Sequence, residues 1–153
     1  MIQILMTMLL LIIAVVDWKT MEIPDGLNGA VAVLAGISLW AMPEVPMPDR
    51  IIGAVCVSVP MYLLCILISD AFGGGDIKLV FTMGFFLGWK NVLVGMFLAI
   101  MIGGMQAFCL LICKKVKAGE NAHMAFGPAL CVGMIISMFW GDRLIAGYFR
   151  WFY

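Results

Sequence analysis

The sequence predicts an all-α, polytopic membrane protein with about six transmembrane helices. Hydrophobic residues make up 65% of its 153 residues and the mean hydropathy is +1.13, whereas only 12% of the residues are charged. A water-soluble domain of this length needs more polar surface than that, so lipid must solvate the outer side chains. At about 20 residues per crossing, the chain has room for six spans in a single domain over residues 1–153.

Six apolar stretches are separated by charged and helix-breaking residues. The first lacks a basic start and an A-x-A-like cleavage site, which favours a retained span over a signal peptide. The third contains Pro60, which membrane helices tolerate, and the fourth is short for a full crossing. The aromatic, basic C-terminal tail is typical of a membrane interface. The predicted spans are about 2–16, 27–42, 51–69, 77–89, 92–113 and 125–140, followed by an interfacial tail at 141–153.

Nine basic and nine acidic side chains cancel, so no broad charged face indicates a nucleic-acid partner. Alternating spans place two groups of basic residues on opposite sides of the bilayer. The cluster KKVKAGENAH predicts that its side faces the cytoplasm, with both termini outward, in the cytoplasmic membrane. The cytoplasmic group is Lys19, Lys78, Lys114, Lys115 and Lys117, and the opposite group is Arg50, Lys90, Arg143 and Arg150.

The cysteines and the single histidine do not form a recognisable metal site. The five cysteines, at positions 56, 65, 109, 113 and 131, lie in apolar stretches without a C-x-x-C pair. Cys109 and Cys113 share a helical face, but two thiols do not specify a metal. We expect the cysteines to act as small hydrophobic residues and His123 to be a solvated loop residue. No cofactor is expected.

Four aspartates fall near the cytoplasmic ends of the predicted spans: Asp17, Asp25, Asp70 and Asp76. Ionisable residues at membrane depth are candidates for function, although an acid at a helix end commonly marks the water boundary. The segment GGGD, residues 73–76, adds three glycines that permit close backbone approaches and weaken a helix by about 1 kcal/mol each. The alternative is a flexible glycine turn capped by Asp76.

Three motifs resemble those of the type IV prepilin peptidases and their preflagellin peptidase relatives. GGGDIKL matches the GxGD signature, and AVVDWKTMEIPDGLN resembles the motif in which an Asp closes the first core helix before Ile-Pro-Asp. The segment from Ala125 to Pro128, AFGP, is similar to the Phe-Gly-Pro that starts the last core helix. The motifs occur in the family's order and cover nearly the whole chain.

The resemblance implies an intramembrane aspartic endopeptidase with Asp17 and Asp76 as the catalytic pair. It makes Gly73 and Gly75 the signature glycines and Lys78 the lysine that commonly follows; Lys78 can instead be an interfacial, snorkelling residue. Asp25 and Asp70 then become structural or substrate-facing. Two close carboxylates that share one proton supply both the base and the acid of peptide hydrolysis. Lipid offers no hydrogen-bond partner to the backbone of the glycine loop, so its partners must be protein or water. We therefore expect a water-accessible cleft on the side of the membrane that holds the two aspartates.

The resemblance also implies a substrate: a pilin-like precursor with a short basic leader, cut after a glycine at the cytoplasmic membrane boundary. Glu22, Asp25 and Asp70 are expected to attract that leader. The chain begins at the first core helix without the cysteine-rich region of longer members, so it resembles a short form acting on Flp-type pilins or archaellins. Methyltransferase activity is not expected from it.

Two other functions fit the sequence less well. A non-enzymatic transporter subunit or assembly scaffold explains the spans but leaves Asp17 and Asp76 without a shared purpose. A presenilin-like protease that cuts within a span also uses a GxGD aspartate, but its partner aspartate follows a tyrosine. Here Val16 precedes Asp17, which favours the prepilin class. The sequence does not indicate an oligomeric state.

Overall fold

The computed structural model describes residues 1–68, 73–112 and 126–152, and it confirms an all-α polytopic fold. The described residues form six helices and no strand: α1 (Ile2–Thr20), α2 (Asp25–Ala41), α3 (Met47–Leu67), α4 (Gly74–Leu87), α5 (Trp89–Ile112) and α6 (Gly127–Phe152). Several predictions fall outside the described residues, namely those for Asp70, Cys113, the basic loop with Lys114, Lys115 and Lys117, His123 and Ala125.

Helix length divides the six helices into two groups. Four of them contain segments long and apolar enough to cross a membrane: Ile2–Thr20, Met47–Leu67, Trp89–Cys109 and Gly127–Trp151. Helices α2 and α4 have 17 and 14 residues. At about 1.5 Å per residue they span about 25 and 21 Å, less than the roughly 30 Å of a hydrocarbon core. The predicted interfacial tail is helical as far as Phe152, the last described residue, and continues α6 without a break.

The outer surface of the bundle is apolar, as a lipid-facing surface requires. Large hydrophobic side chains point outward on several helices: Ile4 is 62% exposed, Trp40 91% and Leu67 79%. The buried side chains are also mostly apolar, so hydrophobicity alone does not separate inside from outside. What separates them is the position of the few polar groups.

Two helices carry buried stripes that lead to the aspartates. On α1 the buried residues are Met6, Leu10, Ile13 and Asp17, spaced by three or four positions on one face. On α4 the buried face begins with Asp76 and continues through Leu79, Val80 and Met83. Helix α1 runs toward one end of the bundle and α4 starts there. Both carboxylates therefore lie inside the bundle at the same end, although they are far apart in sequence.

Pairs of glycines bring neighbouring helices into backbone contact. A Cβ atom at Gly53 of α3 would overlap the carbonyl oxygen of Gly84 on α4, and one at Gly84 would overlap the carbonyl oxygen of Gly53. A Cβ at Gly133 of α6 would likewise overlap the Gly95 carbonyl of α5. Small residues at helix crossings let dispersion forces act over short distances, which is how membrane helices gain packing energy without a hydrophobic driving force.

The opposite end of the bundle is held by Arg50, which is only 1% exposed. Its guanidinium donates to Ser38 Oγ at 2.7 Å and to the carbonyl oxygens of Met42 at 2.7 Å and Val45 at 3.1 Å. It also donates to the Phe85 carbonyl at 3.3 Å near the end of α4. Cations near helix C-termini offset the negative end of the helix dipole, so one side chain stabilises the ends of both α2 and α4.

Burial of Arg50 also changes the orientation argument made from the sequence. That argument treats Arg50 as a charge in the loop between the second and third spans. Its guanidinium instead lies inside the bundle among carbonyl groups. The side of the membrane on which each end lies stays a prediction from the remaining lysines and arginines.

Replacing Arg50 with Met is expected to destabilise the fold by about 3 kcal/mol or more. Hydrogen bonds to charged groups contribute about 1.5–3 kcal/mol each, and the variant removes every hydrogen bond that the guanidinium donates to Ser38, Met42, Val45 and Phe85. Thermal unfolding in detergent, followed by size-exclusion chromatography, measures the loss. Arg143→Met is the matched control, because Arg143 is exposed on α6. Equal melting temperatures for the two variants would contradict the stabilising role of the Arg50 hydrogen bonds.

Candidate active site

Asp17 and Asp76 lie at the same end of the bundle, and both are buried. Asp17 is 4% exposed in the last turn of α1, and Asp76 is 7% exposed in the first turn of α4. Each belongs to the buried stripe of its helix, so neither side chain faces the lipid side. Carboxylates buried in this way need protein partners.

Asp17 lies against the start of α6. The Gly127 backbone N–H faces its carboxylate, and a Cβ atom at position 127 would overlap the Asp17 side chain. Only glycine at position 127 lets the first turn of α6 approach so closely. Asp17 Oδ2 has no hydrogen-bond partner of good geometry within the described part of the chain. That oxygen is also buried, so it is a polar atom inside the bundle whose hydrogen-bonding capacity the described residues leave unused.

Asp76 sits three residues after Gly73, the N-cap of α4. Its carboxylate turns back toward the Gly73 backbone N–H. This is half of a capping box, in which an acid in the first turn satisfies the N-cap amide. The arrangement fixes the Asp76 side chain at the helix start, where the helix dipole stabilises negative charge.

The two carboxylates lie within electrostatic range of each other, and the Cys131 side chain lies within range of both. Cys131 is fully buried one turn after Gly127, on the same face of α6. Among the described residues, no Cα atom of α1 comes within 8 Å of a Cα atom of α4. Helices α1 and α4 are therefore held together through α2 and α6, each of which packs on both of them, rather than by direct packing of α1 on α4.

The three glycines before Asp76 have different surroundings. None of them has a positive φ, and the first, Gly73, has a φ of −64°. A Cβ at Gly75 would lie 2.9 Å from Ile23 Cβ and 3.1 Å from the Ile23 carbonyl oxygen, whereas one at Gly74 would meet nothing within 4 Å. At Gly73 the nearest atom would be Asp76 Oδ2 at 3.5 Å, an ordinary contact. Only Gly75 is required by close packing, and the segment does not need unusual backbone angles.

The Ile-Pro-Asp segment supplies the surface against which Gly75 packs. Ile23 is 8% exposed and contacts Gly75, and Pro24 is the N-cap of α2. One turn further, Asn28 Nδ2 donates to the Gly75 carbonyl oxygen at 3.2 Å. Asn28 was not among the residues that the sequence singled out. A buried amide inside an otherwise apolar stretch is the signal that identifies it.

Lys78 pairs with Asp25 rather than with either candidate catalytic aspartate. Lys78 Nζ lies 2.6 Å from Asp25 Oδ1, and the two side chains are 58% and 78% exposed. The bond joins the start of α2 to the second turn of α4. Exposed pairs of this kind contribute at most about 1 kcal/mol in water. Lys78 therefore lies at the exposed edge of the site, where it forms an ion pair with Asp25.

In the part of the chain that the structure describes, the water-accessible cleft expected over the pair is not present at the two carboxylates, which are 4% and 7% exposed. A pocket of about 550 Å³ lies between α2, α3 and α4, and its lining includes Asn28 and Ile77, the residue after Asp76. Asp17 and Asp76 do not line it. In the described residues, no group of three or more His, Cys, Asp or Glu side chains is arranged to hold a metal ion.

A family model described as the type IV leader peptidase family matches residues 4–108, well over half of the chain. The chain belongs to the type IV leader peptidase family. This confirms the resemblance read from the motifs. The matched region contains Asp17, the GGGD segment with Asp76, and α2–α4 between and around them.

Curated relatives carry the name prepilin leader peptidase/N-methyltransferase. The protein from Bacillus subtilis (strain 168) is 25% identical over 149 residues, covering 93% of this chain and 56% of the relative. Those from Pseudomonas putida and Neisseria gonorrhoeae are 28% and 30% identical over 151 and 138 residues, covering 92% and 86% of this chain and 50% and 46% of the relative. The chain thus spans about half the length of the curated relatives it matches. No solved structure matches it.

Gly75→Ala is expected to lower stability by about 1–3 kcal/mol, because the new methyl group displaces Ile23 and overpacks the junction of α2 and α4. Gly74→Ala is the matched control. Its methyl group meets nothing, so it should be neutral or stabilising by up to about 1 kcal/mol through helix propensity. Thermal unfolding of both variants in detergent checks the difference. Equal stability would show that Gly75 is not packed as described.

Proposed function

We propose that this chain is an aspartic endopeptidase that removes the leader of pilin-like precursor proteins, with Asp17 and Asp76 as its catalytic pair. One observation carries the proposal: two buried carboxylates from distant parts of the sequence lie within electrostatic range of each other at one end of the bundle. Membership of a leader peptidase family supports the reaction class. The relatives' printed name supports a prepilin as substrate.

One carboxylate of the pair acts as the general base of peptide hydrolysis, and the other acts as the general acid. Repulsion between close carboxylates favours a state in which the pair holds one proton. The ionised member takes a proton from water as the water oxygen bonds to the scissile carbonyl carbon, and the protonated member donates to the carbonyl oxygen. As the carbon–nitrogen bond breaks, the leaving nitrogen takes up a proton from one aspartate, and a hydroxyl of the tetrahedral intermediate returns its proton to the other as the carbonyl re-forms, so the pair again holds one proton. Either aspartate can fill either role.

The surrounding helices favour this chemistry in a low-dielectric environment. Both α4 and α6 direct their N-termini at the pair, and the positive end of each helix dipole offsets the net negative charge. Asp17 Oδ2 has no hydrogen-bond partner among the described residues, and we expect it to be the oxygen that binds the water or the peptide group. No Cα atom of the described helix α1 lies within 8 Å of one of α4, so a scissile peptide that reaches the two buried carboxylates does not have to break a contact between these two helices.

The proposed substrate has a basic leader followed by a hydrophobic helix, cut at the cytoplasmic boundary of the cytoplasmic membrane. Glu22 is exposed just after α1, and Asp25 is exposed but engaged by Lys78. Asp70 precedes the glycine segment, outside the described residues. The proposal is confined to the peptidase reaction, because the paired carboxylates supply proton transfer. The N-methyltransferase activity in the relatives' name is not assigned to this chain.

Asp17→Asn and Asp76→Asn are each expected to lower the rate of precursor cleavage by about 1,000-fold or more, since each removes one member of an acid–base pair. Asp142→Asn makes the same chemical change at the opposite end and should retain full activity. Cleavage of a pilin-type precursor in detergent, with melting temperatures to verify folding, measures the effect. Full activity in either pair variant removes that residue from the mechanism, and a folded wild type that cleaves nothing favours a non-enzymatic role.

The acidic residues near the site are expected to attract the basic leader. Replacing Glu22, Asp25 and Asp70 with their amides should lower kcat/KM several-fold at low ionic strength, with the difference shrinking as salt is added. The control replaces Glu44, Asp49 and Asp142, which line a pocket at the opposite end, and changes the net charge equally. Equal effects of the two triple variants would remove local attraction as the explanation.

A further inference from the structure

Helices α2 and α3 leave an open cleft between them at the end of the bundle that holds the aspartates. Both helices pack on α4, but no Cα atom of α2 lies within 8 Å of a Cα atom of α3 in these fully described helices. At the far end, Arg50 of α3 bridges to Ser38 of α2. The two helices therefore form the walls of the cleft, and α4 forms its floor. We call this space the α2–α3 cleft.

The α2–α3 cleft has a volume of about 550 Å³ and a largely apolar lining. Val59 and Tyr62 line one wall, Gly29 and Ala32 the other, and Phe81 the floor. Two of the three hydroxyl groups in the lining already donate to backbone: Ser58 donates to the Ala54 carbonyl, and Thr82 to the carbonyls of Lys78 and Leu79. The third hydroxyl belongs to Tyr62. The cleft thus presents an apolar surface to whatever occupies it.

The cleft adjoins the candidate active site, although Asp17 and Asp76 do not line it. Asn28 lines it and also holds the Gly75 carbonyl, and Ile77 lines it directly after Asp76. The Asp25–Lys78 pair lies at its mouth. From Asp25 to Ala32 the lining follows α2 for about two turns, or about 10 Å. Gly29 and Ala32 are small, so a second helix can approach this wall closely.

We propose that the α2–α3 cleft receives the first two turns of the precursor's hydrophobic helix, immediately after the bond that is cut. The inference rests on the proposed function and adds to it the surface that recognises the mature part of the substrate. An apolar segment entering from lipid must be helical, because its backbone groups have no other partners there. The helix lies along the apolar cleft while the basic leader stays at the charged mouth, which places the junction beside Asp76.

Filling the cleft tests the proposal without altering the catalytic pair. Gly29→Leu adds a side chain to the cleft, and Gly36→Leu adds the same side chain elsewhere on α2. A Cβ at either glycine meets nothing within 4 Å, but only Gly29 lines the cleft. Two substrates are compared in detergent: a full precursor with its hydrophobic helix, and a soluble peptide that ends a few residues after the cleavage site.

For Gly29→Leu we expect kcat/KM to fall at least tenfold on the full precursor and to stay within twofold of wild type on the short peptide. Gly36→Leu should leave both values unchanged. An unchanged rate of Gly29→Leu on the full precursor overturns the proposal. An equal fall in kcat/KM on both substrates also overturns it, because the substitution then impairs catalysis itself rather than binding of the precursor's hydrophobic helix. If the wild type cleaves neither substrate, the proposed function fails, and this inference with it.

Photocrosslinking gives a second measurement that does not depend on catalysis. A benzophenone amino acid replaces Phe81 in the cleft or, as the control, Phe97, which is 64% exposed on α5. With Asp76→Asn in the background, position 81 should crosslink to the precursor's helix at least tenfold more than position 97. Equal yields, or crosslinking at position 81 to lipid alone, overturn the proposal and make a lipid chain the occupant.

Discussion

Two carboxylates must be kept inside a bundle whose outer surface is apolar, and much of the architecture serves that requirement. Asp17 ends the buried stripe of α1 and Asp76 begins that of α4, so both side chains are directed inward at one end. The N-termini of α4 and α6 meet them there, and the backbone amides of Gly73 and Gly127 face the carboxylates. Helix N-termini provide partial positive charge without a basic side chain, and Lys78 pairs with Asp25 instead of with either carboxylate of the pair.

The two ends of the bundle are built differently. At one end Arg50 joins the C-termini of α2 and α4 through several charge-assisted hydrogen bonds, and glycines bring α3 and α4 into backbone contact. At the other end α2 and α3 separate into a cleft, and the described helices α1 and α4 do not pack directly on each other. The hydrogen bonds and close helix contacts at the Arg50 end hold the helices in place, so that the α2–α3 cleft at the other end can keep its geometry around a substrate. This division fits a reaction in which a membrane-bound helix is positioned while its exposed leader is removed.

Small residues serve two purposes in this fold. Gly53, Gly84 and Gly133 allow close helix crossings in the bundle, whereas Gly75 and Gly127 allow backbone to reach the catalytic end. Gly29 and Gly36 have open space around them, and Gly29 borders the cleft. Glycine content alone therefore carries little information, because the surroundings of each glycine decide its role. Of the three glycines that precede Asp76, only Gly75 lies where a side chain would collide.

The sequence by itself determined the all-α membrane fold, because composition and the spacing of apolar stretches respond directly to a lipid environment. It also determined the family, since three motifs in order are specific even without contacts. It singled out Asp17 and Asp76 as a pair, and their catalytic role stays a prediction. Only the tertiary structure decided that Lys78 pairs with Asp25, that Arg50 is buried, and that Asn28 holds the glycine segment. These contacts join residues 12 to 53 positions apart, and such distances are set by helix packing, which no local pattern encodes.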